Sequence, residues 1–364
     1  MLKDFQKLDR IAEMIPTNKV LCVGDMMIDE YISGPADRLS PEAPVPVIRR
    51  KSLKRVLGGV GNVVANLKAL GAESSVFYGI GPDNEGQEIQ KMLQKNDVIG
   101  YPYVVASVTT KKQRIIAQKQ QICRIDTEEP FVLTKQQEDK IVHQVSTLLP
   151  EYNVVVLSDY NKGFISPRVA QGIIQEAKKQ GKPVLVDPKG IDYKKYQGAT
   201  LIKPNLNELK TAISVLLPDV VSVRDLDPSK TEQLEQIKQV ADLLRKTLNA
   251  EQMVVTLGEN GMIGLNDSEV VHLPTQAKSV SDVSGAGDTS LSLLASVAPF
   301  GVALEDAIHL ANIGAGIVVS KEGTATLPLA ELRHTIRNMQ HSYSASIQNN
   351  FSQKKLTELG LSGK

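Results

Sequence analysis

The sequence predicts an α/β protein with a doubly wound, mainly parallel sheet that carries helices on both faces. Short apolar runs recur along the chain, and amphipathic helical patterns lie between most of them, as in a parallel sheet with crossover helices. The runs are Val20–Val23, Ser75–Tyr78, Val154–Leu157, Val184–Val186, Thr200–Ile202 and Met253–Thr256, and the helical patterns are Val60–Leu70, Gly86–Lys95, Ser166–Gln180 and Leu234–Thr247. In such folds ligands bind beyond the carboxyl ends of the strands.

Two segments interrupt this alternation and predict a lid. Residues 31–57 and 101–126 are rich in β-forming residues and show no helical pattern. We expect them to form antiparallel strands that make a small flap over one edge of the main sheet, and ordinary surface hairpins are an equal alternative. The remaining division is one domain over residues 1–332, followed by a C-terminal helix and polar tail over 333–364.

Composition excludes several classes of protein. The 364 residues include 42 Lys and Arg against 41 Asp and Glu, so the net charge of +1 excludes a general nucleic-acid-binding surface. No apolar stretch is long enough to span a bilayer, and the N-terminus predicts a short amphipathic helix rather than a signal peptide. Cys22 and Cys123 have apolar neighbours, which predicts buried free thiols in a reducing, cytoplasmic compartment.

The strongest motif for chemistry is a run of small residues that ends in Asp288 and precedes an apolar helix. Gly285, Ala286 and Gly287 would direct backbone N–H groups toward one point, where the helix dipole also favours an anion. Asp288 would then accept a proton from a hydroxyl that attacks phosphorus. The alternative is a glycine-rich helix start that Asp288 merely caps.

Two weaker motifs accompany it. Gly58 and Gly59 would let a substrate approach the backbone, while Asn62 offers donors and acceptors for sugar hydroxyls. Asn205 and Glu208 have an N-x-x-E spacing whose oxygens suit Mg²⁺, directly or through water. Taken alone, the first motif is equally consistent with a tight turn before a helix, and the second is better explained as a helix cap.

The order and spacing of these motifs resemble the ribokinase-like, or PfkB, family of sugar kinases, over the chain to about Leu332. The resemblance implies an ATP-dependent carbohydrate kinase. It assigns the nucleotide to Asn205, Thr256, Gly258, Gly261 and Asn312, and Mg²⁺ to Glu208 and Asn205 through water. It also implies a homodimer formed through the lid and leaves open a monovalent cation near Asp282. Ser284 stands where the family more often has Thr.

A narrower resemblance points to the heptose 7-phosphate kinases of ADP-heptose synthesis. Its segments are Gly34–Val47, Gln120–Asp126, Leu157–Gly163 and Asp187–Gly190. It implies phosphorylation of the anomeric hydroxyl of D-glycero-D-manno-heptose 7-phosphate to the 1,7-bisphosphate, a step toward the lipopolysaccharide core. Some relatives add an adenylyltransferase domain with an H-x-G-H motif, which this sequence lacks, so the expectation is the kinase-only form.

The sugar side of the site is assigned partly from the resemblance, for the hydroxyl contacts, and partly from charge and position in the chain, for the phosphate contacts. Sugar hydroxyls are expected to contact Asp25, Asp29, Gly58, Gly59, Asn62 and Asn66, and the 7-phosphate to contact Arg38, Arg114, Lys162 and Lys189, with Lys112 less favoured. Three alternatives are another ribokinase-like sugar kinase, a catalytically silent sugar-binding protein, and an NAD(P)-dependent dehydrogenase. The dehydrogenase is disfavoured because no G-x-G-x-x-G turn follows the first strand.

Overall fold

The computed structural model describes residues 4–218, 223, 225–276, 280–321 and 323–341. The strands are β1 (Lys19–Ser33), β2 (Arg38–Leu39), β3 (Pro46–Val47), β4 (Ser52–Gly59), β5 (Glu73–Ile80), β6 (Ile99–Val104), β7 (Thr110–Ala117), β8 (Gln120–Thr127), β9 (Val154–Ser158), β10 (Val184–Asp187), β11 (Leu201–Ile202), β12 (Gln252–Thr256), β13 (Met262–Leu265) and β14 (Val270–Leu273). The helices are α1 (Phe5–Met14), α2 (Val60–Ala69), α3 (Asn84–Lys95), α4 (Lys135–Leu148), α5 (Pro167–Lys179), α6 (Leu206–Leu216), α7 (Thr231–Thr247), α8 (Ala286–Val297) and α9 (Leu304–Val318). Residues 329–341 are also helical.

The central sheet has the strand order β14-β13-β12-β11-β10-β9-β1-β5-β6. The pairs from β12 to β6 are parallel, and β13 and β14 at one edge are antiparallel. The later strands lie on one side of β1 and the earlier strands on the other, so the strand order reverses between β1 and β9. A doubly wound, mainly parallel sheet is therefore confirmed, and its ligand site is expected beyond β1 and β9.

Helices cover both faces of this sheet. One buried cluster joins α1, α2, α3, α8 and α9 to the sheet, and a second joins α4, α5, α6 and α7 to the opposite face. Alternate residues of β1 serve the two clusters, since Val20 and Cys22 belong to the first and Leu21 and Val23 to the second. Burial on both faces is the reason that these strands read as continuous apolar runs.

The lid strands differ from the predicted arrangement in three ways. First, β1 does not end near Gly24 but continues as far as Ser33, because Met26, Met27 and Ile28 are also buried. Second, β4 pairs with this extension antiparallel but β7 pairs with it in parallel, and β8 then pairs antiparallel with β7. Third, β6 lies in the central sheet, so residues 101–104 of the second segment are not part of the lid sheet.

Among the other expectations, those for the helices and for Cys22 agree with the structure, and that for Cys123 does not. The predicted helices correspond to α1, α2, α3, α5 and α7. Cys22 is buried, and burial raises the pKa of its thiol, but Cys123 is exposed because β8 is an edge strand of the lid. The polar tail after residue 341 lies outside the described residues. Across the described part of the chain, no helix is both long and apolar enough to cross a membrane.

Candidate active site

A cleft of about 890 Å³ lies at the carboxyl ends of the central strands, beside the start of α8. Its lining includes Asp187, Lys189, Lys203, Asn205, Glu208, Thr256, Gly258, Gly261, Gly285, Ala286, Gly287, Asp288 and Asn312. The fold thus brings together the residues expected to bind the nucleotide and the glycine-rich helix start. This is the place where a doubly wound sheet binds its ligands.

Asp288 lies in the first turn of α8 and is only 7% exposed. Asn62 Nδ2 donates to its Oδ2 at 2.6 Å, and the Tyr160 hydroxyl donates to its Oδ1 at 2.9 Å. Burial, followed by the negative charge of Asp187, raises the pKa of Asp288 to about 6. A carboxylate that titrates close to neutral pH and faces a cleft is suited to accept a proton from a substrate hydroxyl.

The start of α8 provides a positive environment beside Asp288. Gly285 precedes the helix with a φ of +83°, and a Cβ there would lie 2.9 Å from Asn62 Nδ2, so only glycine fits without strain. The N–H groups of a first helical turn have no acceptors within the helix. The buried ammonium of Lys203 lies 3.6 Å from the position of a Cβ on Gly287 and pairs with Asp187 at 3.0 Å. An incoming phosphoryl group would meet both the backbone N–H groups and this cation.

Asn205 and Glu208 form a capping box at the start of α6. Asn205 Oδ1 accepts from the Glu208 N–H at 2.9 Å, and Glu208 Oε2 accepts from the Asn205 N–H at 2.8 Å. Glu208 Oε1 also pairs with Lys189 at 2.5 Å. Because the Glu208 oxygens are already engaged, the pair fits Mg²⁺ held through water better than direct ligation. Within the described ranges, no group of three or more His, Cys, Asp or Glu is disposed to hold a metal ion.

Lys189 is placed differently from the expectation for a sugar-phosphate ligand. Its ammonium pairs with Glu208, and the negative charges of Glu208, Asp187 and Asp288 raise its pKa against the opposing effect of burial. It lines the cleft with the nucleotide-side residues. Lys189 thus lies at the predicted sheet edge, in the cleft with residues expected to bind the nucleotide, and its contact with a sugar phosphate stays a prediction.

Asp25 has a different set of partners from the expected sugar hydroxyls. Its carboxylate accepts from the backbone N–H groups of Tyr160 at 2.7 Å, Lys162 at 3.1 Å and Phe164 at 3.2 Å. Burial and the charge of Asp159 raise the pKa of Asp25 to about 6. The structure thus makes Asp25 the anchor of the loop over residues 159–164.

Asn66 is likewise internal, with none of its surface exposed. Its side chain donates to Asn62 and accepts from the Thr289 hydroxyl and the Leu327 N–H, both at 3.1 Å. Asn66 therefore joins α2 to α8 instead of facing a ligand.

Asp29, which the sequence assigns to sugar hydroxyls, lies on the part of β1 that joins the lid strands. It pairs with Arg114 across the lid strands, and its carboxylate lies directly against Gly58. A Cβ at Gly58 would overlap the Asp29 carboxylate, so any side chain there would displace Asp29. This contact explains the need for glycine at position 58.

The pairing register sorts the lid residues into two faces. Two cross-strand rows on one face are polar, and they contain Tyr31, Arg114 and Arg124 in one row and Asp29, Lys112 and Asp126 in the other. Arg114 also lies 5.2 Å from the ring centre of Tyr31, whose hydroxyl meets that of Thr324 at 2.6 Å. This polar face is therefore the one turned toward the helix start at Gly285, which Thr324 contacts.

The lid cations are not equivalent. Within the described part of the chain the Lys112 ammonium makes no hydrogen bond or close ion pair. Burial and the positive charge of Lys162 lower its pKa, while the negative charges of Asp126 and Asp29 oppose that shift. Lys162 pairs with Glu128 at 2.7 Å. Arg38 lies exposed on the separate β2–β3 pair and is not grouped with the others. Lys112, the cation ranked lowest by the sequence, thus lies among the polar residues of the lid, whereas Arg38 lies on a separate pair of strands.

Three residues of the site were missed by the sequence reasoning. Tyr160 contacts Asp288, Lys203 lies beside Gly287, and Arg124 continues the cationic row of the lid. Signals existed for each of them, because all three lie inside or next to segments singled out for other reasons. Contact with Asp288, however, depends on chain crossings that no local pattern encodes.

Residues 17–331 of the chain match the protein family described as pfkB family carbohydrate kinase. The chain is 39% identical over 338 residues to the bifunctional protein HldE of Nitratiruptor sp., covering 93% of this chain and 69% of the relative. It is 38% identical over 347 residues to the bifunctional protein HldE of Campylobacter fetus, covering 95% and 71%. The chain thus spans about two thirds of the length of these relatives.

Solved structures show the same fold. Phosphofructokinase-2 from Escherichia coli in complex with potassium aligns with a TM-score of 0.71 at 17% identity, over 89% of this chain and 99% of that one. Arabidopsis thaliana ribokinase complexed with ribose and ATP aligns with a TM-score of 0.65 at 19% identity, over 88% and 98%. Together with the match over residues 17–331, these likenesses establish that the chain belongs to the pfkB family and is a carbohydrate kinase.

Proposed function

We propose that this kinase transfers the γ-phosphoryl group of ATP to the anomeric hydroxyl of D-glycero-D-manno-heptose 7-phosphate and gives the 1,7-bisphosphate, a step toward the lipopolysaccharide core. The observation that carries the proposal is the position of Asp288, a buried carboxylate in the first turn of α8 that lines the cleft beside Lys203. The segments that resemble heptose 7-phosphate kinases support the choice of sugar, and two of them contain Tyr160 and Arg124.

The chemistry assigned to the helix start is proton transfer and charge neutralisation. Asp288 takes the proton of the anomeric hydroxyl as its oxygen attacks phosphorus. The N–H groups of Gly285, Ala286 and Gly287, with the ammonium of Lys203, neutralise the charge that develops on the transferred group. Phosphoryl transfer relies mainly on such positioning and electrostatic stabilisation.

The sugar side of the site uses the lid. We assign sugar hydroxyls to Asp29 and Asn62, above the close backbone approach allowed by Gly58 and Gly59. The 7-phosphate is assigned to Lys112, Arg114 and Arg124 on the polar lid face and to Lys162 on the loop after β9. Arg supplies paired hydrogen bonds to phosphate and Lys supplies a compact charge. Closure of the lid would exclude water, whose attack on ATP is the competing reaction.

The nucleotide side uses the lining of the cleft. Thr256 ends β12 and is followed by Gly258 and Gly261, and Gly258 has open space around it where ATP can approach the backbone. Asn312 would contact the adenine end. Glu208 and Asn205 would hold Mg²⁺ through water, and the ion would supply positive charge that lowers the repulsion between the phosphates of ATP. Near the monovalent-cation position, Asp282 accepts from the Ser284 N–H at 2.8 Å and the Gly323 N–H at 3.1 Å.

A homodimer through the lid is also proposed. On the face opposite the cations, one cross-strand row contains Leu53, Ile32, Ile115 and Cys123, and Ile125 lies next to it. Leu53 is 45% exposed and Ile125 51%. A contiguous apolar row across four strands favours burial against a second surface.

Release of ADP on a panel of sugars tests the proposal. The panel contains heptose, hexose and pentose, each with and without its terminal phosphate. We expect the highest kcat/KM for heptose 7-phosphate, because only that substrate reaches both Asp288 and the lid cations. Preference for another sugar would favour a different ribokinase-like kinase. Sugar binding seen by calorimetry without ADP release would favour a silent sugar-binding protein.

A further inference from the structure

Tyr160 follows β9 and contacts two carboxylates that come from distant parts of the chain. Its backbone N–H donates to Asp25 on β1 at 2.7 Å, and its hydroxyl donates to Asp288 on α8 at 2.9 Å. It also lines the cleft. One residue thus links the base assigned under the proposed function to a buried anchor beneath the sugar side.

The loop that carries Tyr160 is fixed from below. Besides Tyr160, the N–H groups of Lys162 and Phe164 donate to Asp25, so three alternate amides hold one carboxylate. Gly163 has a φ of +112°, and a Cβ there would overlap the Phe131 carbonyl oxygen. The loop therefore has little freedom to move the Tyr160 ring.

The carboxylate of Asp159 also holds this loop in place. Asp159 accepts from the Asn161 N–H at 2.6 Å, the Lys195 ammonium at 2.5 Å and the Tyr196 hydroxyl at 2.7 Å. Lys195 and Tyr196 are both buried. A buried ion pair that also satisfies a tyrosine hydroxyl and a loop amide constrains geometry more than it adds stability. Both ends of the Tyr160 backbone are therefore held before any ligand arrives.

The carboxylate of Asp288 is held at both oxygens. Asn62 donates to Oδ2 and Tyr160 to Oδ1, which fixes the plane of the carboxylate and leaves acceptor capacity on each oxygen for a substrate hydroxyl. We propose that Tyr160 is a positioning residue for phosphoryl transfer, whose hydroxyl orients Asp288 and favours its ionised form. The inference rests on the proposed role of Asp288 as the base.

Some of the other groups around Asp288 raise its pKa and others lower it. From the end of β10, the negative charge of Asp187 raises the pKa of Asp288 together with burial. From α2, the loop after β9 and the end of β11, Asn62, Tyr160 and Lys203 lower it. The ammonium of Lys189 also interacts electrostatically with the carboxylate of Asp288. Because only the Tyr160 hydroxyl is removed by a Tyr-to-Phe change, the other contributions stay in place and the effect of the hydrogen bond is isolated.

The first test compares Tyr160→Phe with wild type in the pH dependence of kcat/KM for the best sugar substrate. We expect the acid limb, near pH 6 in wild type, to move up by about one pH unit. At pH 6 turnover should fall roughly fivefold with little change in KM for ATP. Tyr78→Phe is the matched control, because the Tyr78 hydroxyl is also buried but has no hydrogen-bond partner among the described residues. Lower turnover in Tyr160→Phe with an unmoved acid limb would overturn the inference.

The second test needs no turnover. Carbon-13 labelling of aspartate carboxyls gives a titration curve for Asp288, assigned by the signal that Asp288→Asn removes. A higher midpoint in Tyr160→Phe than in wild type supports the inference, and an unchanged midpoint overturns it. If the midpoint moves but wild type phosphorylates no sugar, the proposed function fails while the control of Asp288 by Tyr160 stands.

Discussion

The two halves of the site are built in different ways. On the cleft side the charged groups are paired with one another, as Lys203 with Asp187 and Lys189 with Glu208. On the lid side the charged groups are also paired, as Arg114 with Asp29 and Arg124 with Asp126, but Arg124 and Asp126 lie exposed on β8. The cleft belongs to a sheet that is covered on both faces, whereas the lid sheet has an open face.

This difference separates the two tasks of a kinase. Groups that stabilise transferred charge act best when they are already oriented, which requires burial and internal hydrogen bonds. Groups that select a substrate can lie on exposed elements and gain their partners when the ligand binds. Catalysis is therefore expected to depend on the cleft and sugar selection on the lid, and four experiments test that division.

The largest effect is expected from Asp288→Asn. Turnover should fall by about 10³-fold, because an amide cannot accept the proton of the attacking hydroxyl. ATP binding measured by calorimetry should remain. Asp97→Asn, at an exposed position after α3, serves as the control. Turnover close to that of wild type would exclude Asp288 as the base.

The next experiment compares Asp25→Asn with Asp29→Asn. It distinguishes a structural role of Asp25, which holds the loop over residues 159–164, from a sugar-binding role of Asp29. In Asp25→Asn the new amide cannot accept all three backbone N–H groups, so the free energy of unfolding should fall by about 2–3 kcal/mol. Asp29→Asn should instead raise KM for the sugar by roughly tenfold, with a smaller loss of stability, because the new amide oxygen can still accept a hydrogen bond from Arg114. Urea unfolding and steady-state kinetics measure the two effects. A reversal of this pattern would return Asp25 to the sugar site.

Lys112→Ala tests the assignment of the phosphate. We expect kcat/KM for the phosphorylated sugar to fall by about tenfold or more, with little change for the same sugar without phosphate. The same change at Lys189 should raise KM for ATP instead, since Lys189 pairs with Glu208 in the cleft. Lys91→Ala, on the exposed side of α3, controls for loss of surface charge. Equal losses on both sugars would rule out the phosphate contact for Lys112.

The smallest effect on catalysis is expected from the outer face of the lid. Leu53→Glu combined with Ile125→Glu should convert a dimer to a monomer in light scattering, with less than roughly a tenfold loss of kcat/KM. Ile99→Glu provides a control, because Ile99 is 56% exposed on β6 of the central sheet. A mass that does not change in the double variant would place any dimer contact elsewhere.

Local pattern was sufficient for much of the fold and for the centre of the site. The helix start at Gly285–Asp288 could be predicted because its glycine conformation, helix dipole and acidic first turn all lie within one short run of residues. The strands of the central sheet could also be predicted, since burial on both faces makes each one a continuous apolar run. The capping box at Asn205 and Glu208 also follows from its spacing alone.

Contacts between elements far apart in the chain could not be predicted from local sequence patterns. Asp25 and Asn66 stood in motifs that suggested ligand contact, but their partners are amides and hydroxyls of remote elements. The apolar neighbours of Cys123 suggested burial, yet β8 is paired on one side only. The extension of β1 into the lid sheet likewise depends on β4 and β7, which follow it in the chain.

Short-range sterics and periodicity are enough to specify the strand–helix alternation, the helix start at Gly285 and the acidic residue in its first turn, so these features could be predicted from the chain alone. Three-dimensional packing was needed to establish that Tyr160 meets Asp288, that Lys203 lies beside Gly287 and that Lys112 rather than Arg38 joins the lid cations. Those contacts join segments far apart in the chain. Their identity depends on the strand order and register, which set the distances between side chains and are not encoded at any single position.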